Sequence, residues 1–260
     1  LKDQPTIVRD NQTLFASYQQ LKKDDIIVGR LRLKPGEEHL LTDLLARGIC
    51  MVPSATAQLA SRSKVFQTRI FSKYLPPDSL AIYDAQTLLQ VSSLYLQRGH
   101  HRVVLKLDRK NGGLGVHIFT SIEDLYNQVS VASYPFPFII QPFQSECRDI
   151  RVIIIGDYCE AYERSNPFNF RQNLHCGGEA KPYSLSDRQM TFCLEVMERG
   201  AFPYAHLDLM LTPDDGIRLL EINLRGGLRG AKISGQEYQQ RIAAVHQKTL
   251  EALHFASVTG

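Results

Sequence analysis

No stretch of this chain approaches the ~20 consecutive apolar residues that a membrane-crossing helix requires, so no such helix is expected and a membrane is not expected as a partner. Internal repeats and low-complexity tails are also absent, as is any Cys-x-x-Cys pair. Its five cysteines (Cys50, Cys147, Cys159, Cys176 and Cys193) are widely spaced and odd in number. That usage disfavours a zinc site and a disulfide scaffold and fits a reducing compartment. The net charge of +3 is small and no basic stripe gathers it, so nucleic acid is not expected either. The N-terminus does not read as a signal peptide, and a cytoplasmic location is predicted. Leu1 stands where an initiator Met would, so a trimmed start is expected.

What is present is ordinary for a globular protein. At 260 residues, with 43% hydrophobic and 22% charged residues, the chain can bury a core as one large domain or two modest ones. A strand is predicted over Asp25 to Leu31, a helix from near Pro35 to Gly48, a strand at Ile49 to Val52, and a helical stretch from Ser54 to about Lys73. Asp84 to Gly99 reads as a helix closed by its glycine. Strands follow at Arg102 to Leu107 and Val116 to Phe119, then a helix behind a Thr120-x-x-Glu123 capping box. Further strands are predicted at Phe138 to Gln141, Asp149 to Ile155 and Tyr158 to Glu163. A Ser186-x-x-Gln189 box opens a helix ending at Gly200, and an amphipathic helix carrying Tyr238, Ile242, Val245 and Leu253 finishes the chain. Mixed strands and helices with several hairpins predict an α+β fold.

Chemistry concentrates in His206-Leu207-Asp208-Leu209 and Leu219-Leu220-Glu221-Ile222-Asn223. Both alternate apolar and polar residues as half-buried strands do, and Thr212-Pro213-Asp214-Asp215-Gly216 between them reads as a hairpin turn. Asp208, Glu221 and Asn223 would converge as oxygen donors, a set that suits magnesium; edge-strand carboxylates in solvent are the plainer alternative. Lys106 ends a strand just before Asn111-Gly112-Gly113-Leu114-Gly115, where bare backbone N–H groups could approach phosphate oxygens. Strands flank these glycines on both sides, so this is no Walker loop, and a flexible hairpin tip is the alternative. Arg171 and Asn173, in Arg171-Gln172-Asn173-Leu174-His175-Cys176-Gly177-Gly178, could reach a triphosphate tail or belong to a surface loop. Asp149 and Arg151 share a strand face, as a cross-strand pair or as a cleft lining. His100 and His101 point to opposite faces as strand neighbours and read as solvated loop residues.

The order of these features resembles the ATP-grasp superfamily, and more narrowly its RimK-type branch of ribosomal-protein glutamate ligases and related carboxylate–amine ligases. Arg171 to Gly178 carries the strongest likeness, because that branch shows Arg-Ser-Asn-Leu-His-x-Gly-Gly there. The resemblance implies an ATP-grasp domain over residues 56–260, with a small lobe and glycine-rich flap at about 78–140 and a large lobe at about 141–260. Residues 1–55 would be a shortened pre-ATP-grasp α/β segment. It also implies ATP contacts from Lys64, Lys106, Gly112, Gly113, Gly115, Gln141, Phe143, Asp149, Arg171 and Asn173. Magnesium, as two ions and with manganese as an alternative, would sit on Asp208, Glu221 and Asn223. Three departures stand out: Pro142-Phe143 follows Gln141 where the family has Glu-Tyr, Leu224-Arg225-Gly226-Gly227 replaces a small residue with Pro-Gly, and the leading segment is short.

The activity implied is an ATP-dependent ligase joining a carboxylate to an amine through an acylphosphate, with Arg151 and Lys106 as catalytic residues. Its partners would be ATP and small-molecule or peptide carboxylates and amines. A silent ATP-binding regulatory module and an ATP-grasp kinase acting on a hydroxyl are the rival classes, and a homo-oligomer is left open. Arg225, Arg229 and Lys232 flank a glycine-rich segment after the metal set. If it loops round the cleft mouth, Arg225 and Arg229 would bind a substrate bearing a carboxylate beyond the reacting one; a solvated basic rim is the alternative.

Overall fold

The computed structural model describes residues 5–9, 12–14, 17–110, 113–132, 134–167 and 177–259. Three sheets carry the architecture. In the first, strands β1 (Thr6–Arg9), β2 (Gln12–Leu14) and β3 (Ile26–Val28) are followed by helix α1 (His39–Ala46) and strand β4 (Cys50–Val52), in the order β2-β1-β3-β4. The β3–β4 pair is parallel because α1 makes the crossover, burying Leu41 and Leu44 against Ile27 and Met51. Two short helices come next, α2 (Ala55–Ala60) and α3 (Lys64–Ile70). Ser54 caps the first by accepting from Ala57 N at 3.0 Å, and Ser63 caps the second by accepting from Phe66 N at 3.0 Å.

The second sheet holds β5 (Leu80–Ile82), β6 (Val103–Leu107), β7 (Val116–Phe119) and β8 (Phe138–Pro142) in the order β5-β8-β6-β7, all antiparallel. Helices α4 (Ala85–Gln97) and α5 (Ile122–Val131) cover it, placing Leu88, Tyr95, Ile122 and Leu125 on Leu105 and Phe138. The third sheet, β9 (Arg148–Ile155), β10 (Tyr158–Ser165), β11 (Glu179–Tyr183), β12 (Tyr204–Leu211) and β13 (Ile217–Asn223), runs antiparallel in the order β11-β10-β9-β12-β13. Helix α6 (Asp187–Arg199) and helix α7 (Gly235–Thr259) complete the chain, and the largest core gathers here, around Val152, Ile154, Cys193, Val196, Leu207, Leu219 and Ile222.

The α+β class read from the sequence holds, with local corrections. The helix expected from Pro35 begins at His39 after turns, and the strand expected to reach Leu31 stops at Val28. The helical stretch from Ser54 breaks at residues 61–63, because Ser63 starts a new helix rather than continuing the old one. Helix α5 is capped by Ser121, which accepts from Asp124 N, one residue later than the Thr120-x-x-Glu123 box implied. His100 lies in a loop as expected but is only partly solvated: its Nε2 lies 2.7 Å from Asp78 Oδ2 and its ring meets Tyr95 edge-on. Strands β1, β2, β5 and β11 had no reading in the sequence.

One junction positions everything that follows. β13 is the outermost strand of its sheet, and its free edge is satisfied by the segment around α2 and α3. Leu219 N donates to Tyr74 O at 2.8 Å, and Leu224 N donates to Ser61 Oγ at 3.0 Å. Between them the buried amide of Gln67 acts as a substitute strand: Ile222 N donates to its Oε1 at 3.1 Å, and its Nε2 donates to Ile222 O at 2.9 Å. Replacing Gln67 with the similarly sized Leu strands two buried backbone groups, and a loss of roughly 2–5 kcal/mol is expected in urea unfolding. A change below about 0.5 kcal/mol, the size of an ordinary surface substitution, would show that the junction does not hold the edge.

Candidate active site

A cavity of about 800 Å³ lies where these elements meet. It is lined by Lys64, Lys106, Gly113, Gln141, Phe143, Asp149, Arg151, Asp208, Glu221, Asn223, Arg225 and Arg229, so twelve of the site residues read from the sequence share one cavity. Gly112, Arg171 and Asn173 fall outside the described residues. Gly115 does not line the cavity. It is buried in the β6–β7 turn, where a Cβ would stand 2.6 Å from Lys110 Cβ, and its carbonyl accepts from Leu107 N at 2.8 Å. Its role is to close that turn, while Gly113, at φ +78°, faces the cavity.

The floor is a row of side chains in register across the large sheet. Glu221 on β13 stands opposite Asp208 on β12, Asp208 opposite Arg151 on β9, and Arg151 opposite Tyr162 on β10. Antiparallel pairing puts such partners on the same face, one strand spacing of ~4.8 Å apart. Arg151 grips Asp208 with both prongs, Nε to Oδ1 at 2.7 Å and Nη2 to Oδ2 at 2.8 Å. Arg164 binds Asp149 Oδ1 through Nε and Nη2 at 2.8 and 2.6 Å, and its Nη2 lies 3.2 Å from Asp208 Oδ2. At the far end Lys64 Nζ donates to Glu221 Oε1 at 2.9 Å and to Lys110 O at 2.8 Å.

Burial alone would raise the Asp208 carboxyl; Arg151 and Arg164 overcome it and hold the group well below the usual carboxylate range. For Asp149 burial wins, and its carboxyl is pushed up despite Arg164. Lys106 is pushed down to about 8 by burial, with Lys64 adding to the effect and Glu221 opposing it.

Strict alternation in β13 was the sequence expectation, and the structure departs from it. A β-bulge shifts the register between Asp208 and Leu209, so Leu220 is the extra residue. Leu220 and Glu221 therefore both line the cavity, one giving an apolar surface and the other a carboxylate. Val104, Val116 and Met210 extend the apolar surface beside the β8 exit. There the Gln141 side chain is already committed, its Nε2 donating to Ser79 Oγ at 2.9 Å. Phe143 is tied back through its N–H to Arg102 O at 2.9 Å and carries the Arg102 guanidinium 4.1 Å from its ring centroid.

Among the described residues, nine lysines and arginines line the cavity against three carboxylates. That excess is larger than the net charge of +3 carried by the whole chain, so the cavity is built for a polyanion. Sequence reading missed Arg30, Lys110, Arg148 and Arg164 among these. Arg164 had a legible signal, since it continues the alternation Tyr158, Glu160, Tyr162 by one step beyond the expected strand end. Arg30 had none: it follows a short strand in the leading segment and reaches the cavity only through tertiary packing.

Asp208, Glu221 and Asn223 offer oxygen donors only. No three His, Cys, Asp or Glu side chains form a metal-holding group among the described residues. Two carboxylates and an amide still fit a magnesium ion that keeps waters and shares phosphate oxygens, and Asp208 Oδ1 has a single hydrogen-bond partner among the described residues, leaving a lone pair.

Lys106 should make the affinity of this cavity for an anionic ligand pH-dependent. Its ammonium is charged at pH 7 and loses its proton as pH rises through about 8, so the affinity of a polyanion should fall between about pH 7 and pH 9. Lys106→Arg, charged throughout, should flatten that fall in calorimetric titrations; an identical decline in the variant would assign the dependence elsewhere.

Comparison with known proteins agrees with this geometry. The family profile of the RimK-like ATP-grasp domain matches residues 76–245. The chain is 28% identical over 194 residues to a probable α-L-glutamate ligase of Cellvibrio japonicus (strain Ueda107), covering 70% of this chain and 62% of that protein. It is 31% identical over 96 residues to a ribosomal protein bS6–L-glutamate ligase of Escherichia fergusonii, covering 35% and 32%. A probable α-L-glutamate ligase of Trichodesmium erythraeum (strain IMS101) is matched over 55% of its length, so the chain spans about three-fifths of such relatives. Among solved structures, the D-alanine–D-alanine ligase of Coxiella burnetii superposes with a TM-score of 0.61 at 13% identity, covering 90% of this chain and 73% of that one. An ATP-grasp ligase of Chryseobacterium gregarium, solved with ADP and peptides, gives 0.60 at 14% identity, covering 97% and 86%. The fold is thus ATP-grasp, and the chain belongs to the RimK-like ATP-grasp domain family.

Proposed function

We propose that this protein is an ATP- and magnesium-dependent carboxylate–amine ligase. The observation that carries the reading is the cross-sheet row Glu221, Asp208 and Arg151, faced by Lys64 and Lys106 in one strongly cationic cavity. The leading sheet together with two lobes, one around β5–β8 and one around β9–β13, would enclose ATP. Adenine would lie on Leu220, Met210 and Val104 beside the Gln141-to-Phe143 exit, held by main-chain contacts because the Gln141 amide is bonded to Ser79.

Lys64 and Lys106 would bind phosphate oxygens, and the turn holding Gly113 would fold over them and exclude water. Asp208, Glu221 and Asn223 would hold magnesium, which neutralises charge on the phosphates when bound. A carboxylate oxygen of the substrate attacks the terminal phosphorus, ADP leaves, and an amine then displaces phosphate from the acylphosphate to form an amide. Positioning and charge neutralisation suffice, so no protein nucleophile is needed. Arg151 would stabilise the negative charge on the transferring phosphoryl group or on the tetrahedral intermediate.

Incubating the protein with ATP, magnesium or manganese, and a panel of amino acids and short peptides tests the reading. An amide product by mass spectrometry, formed with ADP and phosphate, supports it; a phosphorylated hydroxyl or no product despite ATP binding refutes it.

Substrate class follows from the mouth of the cavity, where Arg225 and Arg229 are exposed and Arg30 joins them from the leading segment. Relatives carrying the name glutamate ligase fit the same chemistry, and an acidic amino acid or acidic peptide is proposed. Arg225→Ala combined with Arg229→Ala should raise KM for that substrate by about tenfold or more, the size of losing a charge-assisted contact, with ATP affinity unchanged. Unchanged KM would leave the arginines as ordinary surface.

A further inference from the structure

Tyr162 continues the cross-sheet row one strand beyond Arg151, its direct partner in register. It lines the cavity and is 1% exposed, and its hydroxyl has no hydrogen-bond partner among the described residues. An unpaired buried hydroxyl destabilises the chain that carries it, and phenylalanine would fill the same space without that cost. With no partner among the described residues, such a group is suited to one that a ligand brings.

The surroundings define that partner. Arg151 is directly opposite and Arg164 lies two residues along on the same strand face, and guanidinium groups donate but cannot accept. Their prongs are directed at Asp208 and Asp149. The hydroxyl therefore requires an acceptor, and an acceptor lying beside two guanidinium groups is an anion with several oxygens. Position along the row narrows it further. Lys64 and Glu221 mark one end, and three strand spacings carry the row roughly 14 Å to Tyr162. A polyphosphate that starts at the Lys64 end extends its terminal group toward Arg151 and Tyr162.

We propose that the Tyr162 hydroxyl donates a hydrogen bond to the terminal phosphoryl group of the nucleotide, beside Arg151 and Arg164; the assignment rests on the ATP-dependent reading above. No proton is transferred, and the phenol remains intact as a neutral donor in a dry site, where a bond to an anion is strong. Burial, the larger effect, keeps the phenol protonated, against the pull of Arg151 and Arg164. The hydroxyl is sealed from solvent in this arrangement, and Arg151 or Arg164 turning from a carboxylate to an arriving anion would uncover it.

Tyr162→Phe removes one oxygen and retains the ring. Calorimetric titration with ADP and with the non-hydrolysable imido analogue of ATP, both with magnesium, separates the terminal phosphoryl group from the rest of the nucleotide. The variant should bind the ATP analogue about tenfold or more weakly, as expected for losing a hydrogen bond to a charged group, and should bind ADP as the wild type does. Its ligand-free Tm should stay unchanged or rise, since an unpaired hydroxyl has been removed. Equal losses for both nucleotides, no loss for the analogue, or a lowered Tm would each overturn the assignment, the last by showing a structural bond. Binding of neither nucleotide by the wild type would instead refute the ligase reading, and the Tyr162 assignment with it.

Discussion

Asp208 held by both prongs of Arg151, with Arg164 at its other side, is the contact on which the rest of the site depends. Charges brought out of water are costly unless each is met by an opposite charge and by hydrogen bonds. The cavity floor meets that condition internally: Lys64 answers Glu221, Arg151 answers Asp208, and Arg164 answers Asp149. In the proposed ligase, a magnesium-bound triphosphate exchanges these partners without leaving any of them alone. Lys64 and Arg151 would turn to phosphate oxygens and Glu221 and Asp208 to the metal, with Arg164 still on Asp149, so binding would replace one neutralised arrangement with another.

Such an exchange requires a floor that does not yield. The antiparallel pairing of β9, β10, β12 and β13 fixes which side chains stand opposite one another, and the apolar reverse face locks the register through Val152, Leu207, Leu209 and Ile222. β13 would be the weak member, because one of its edges has no strand beside it among the described residues. Gln67, Ser61 and Tyr74 supply the missing partners, and the helix bearing Gln67 begins at Lys64, the residue that reaches Glu221. Covering the edge and placing Lys64 beside Glu221 are therefore one structural act. The bulge at Leu220 adds a second economy, since one strand presents both an apolar contact and a carboxylate to the same cavity.

Much of this was legible in the sequence. Period-two alternation located β9, β12 and β13, the Pro-Asp-Gly turn fixed their hairpin, and the order of Lys, Gly loop, Asp and Glu-x-Asn pointed to the family. The element ends were harder. Ser63 looks like any polar residue inside a helix until its hydroxyl is seen accepting from Phe66 N, and Ser121 outcompetes Thr120 by a single position. Gly115 reads like Gly113 in a glycine-rich run, yet packing against Lys110 separates their roles. Arg30 and the Gln67 bridge are contacts between distant segments, |i−j| of 155 for the latter, and no local pattern encodes them. Leu220 broke the alternation rule because a bulge is a property of the strand pair, not of one strand.

The central claim is that a substrate carboxylate, activated on this floor, takes the terminal phosphoryl group of ATP. Supplying the reacting carboxylate labelled with heavy oxygen and analysing the released phosphate by mass spectrometry tests it most directly. The account requires one labelled oxygen in the phosphate for each amide formed, because the bridging oxygen of an acylphosphate comes from the carboxylate. Amide formation with unlabelled phosphate, or with label in AMP, would contradict it.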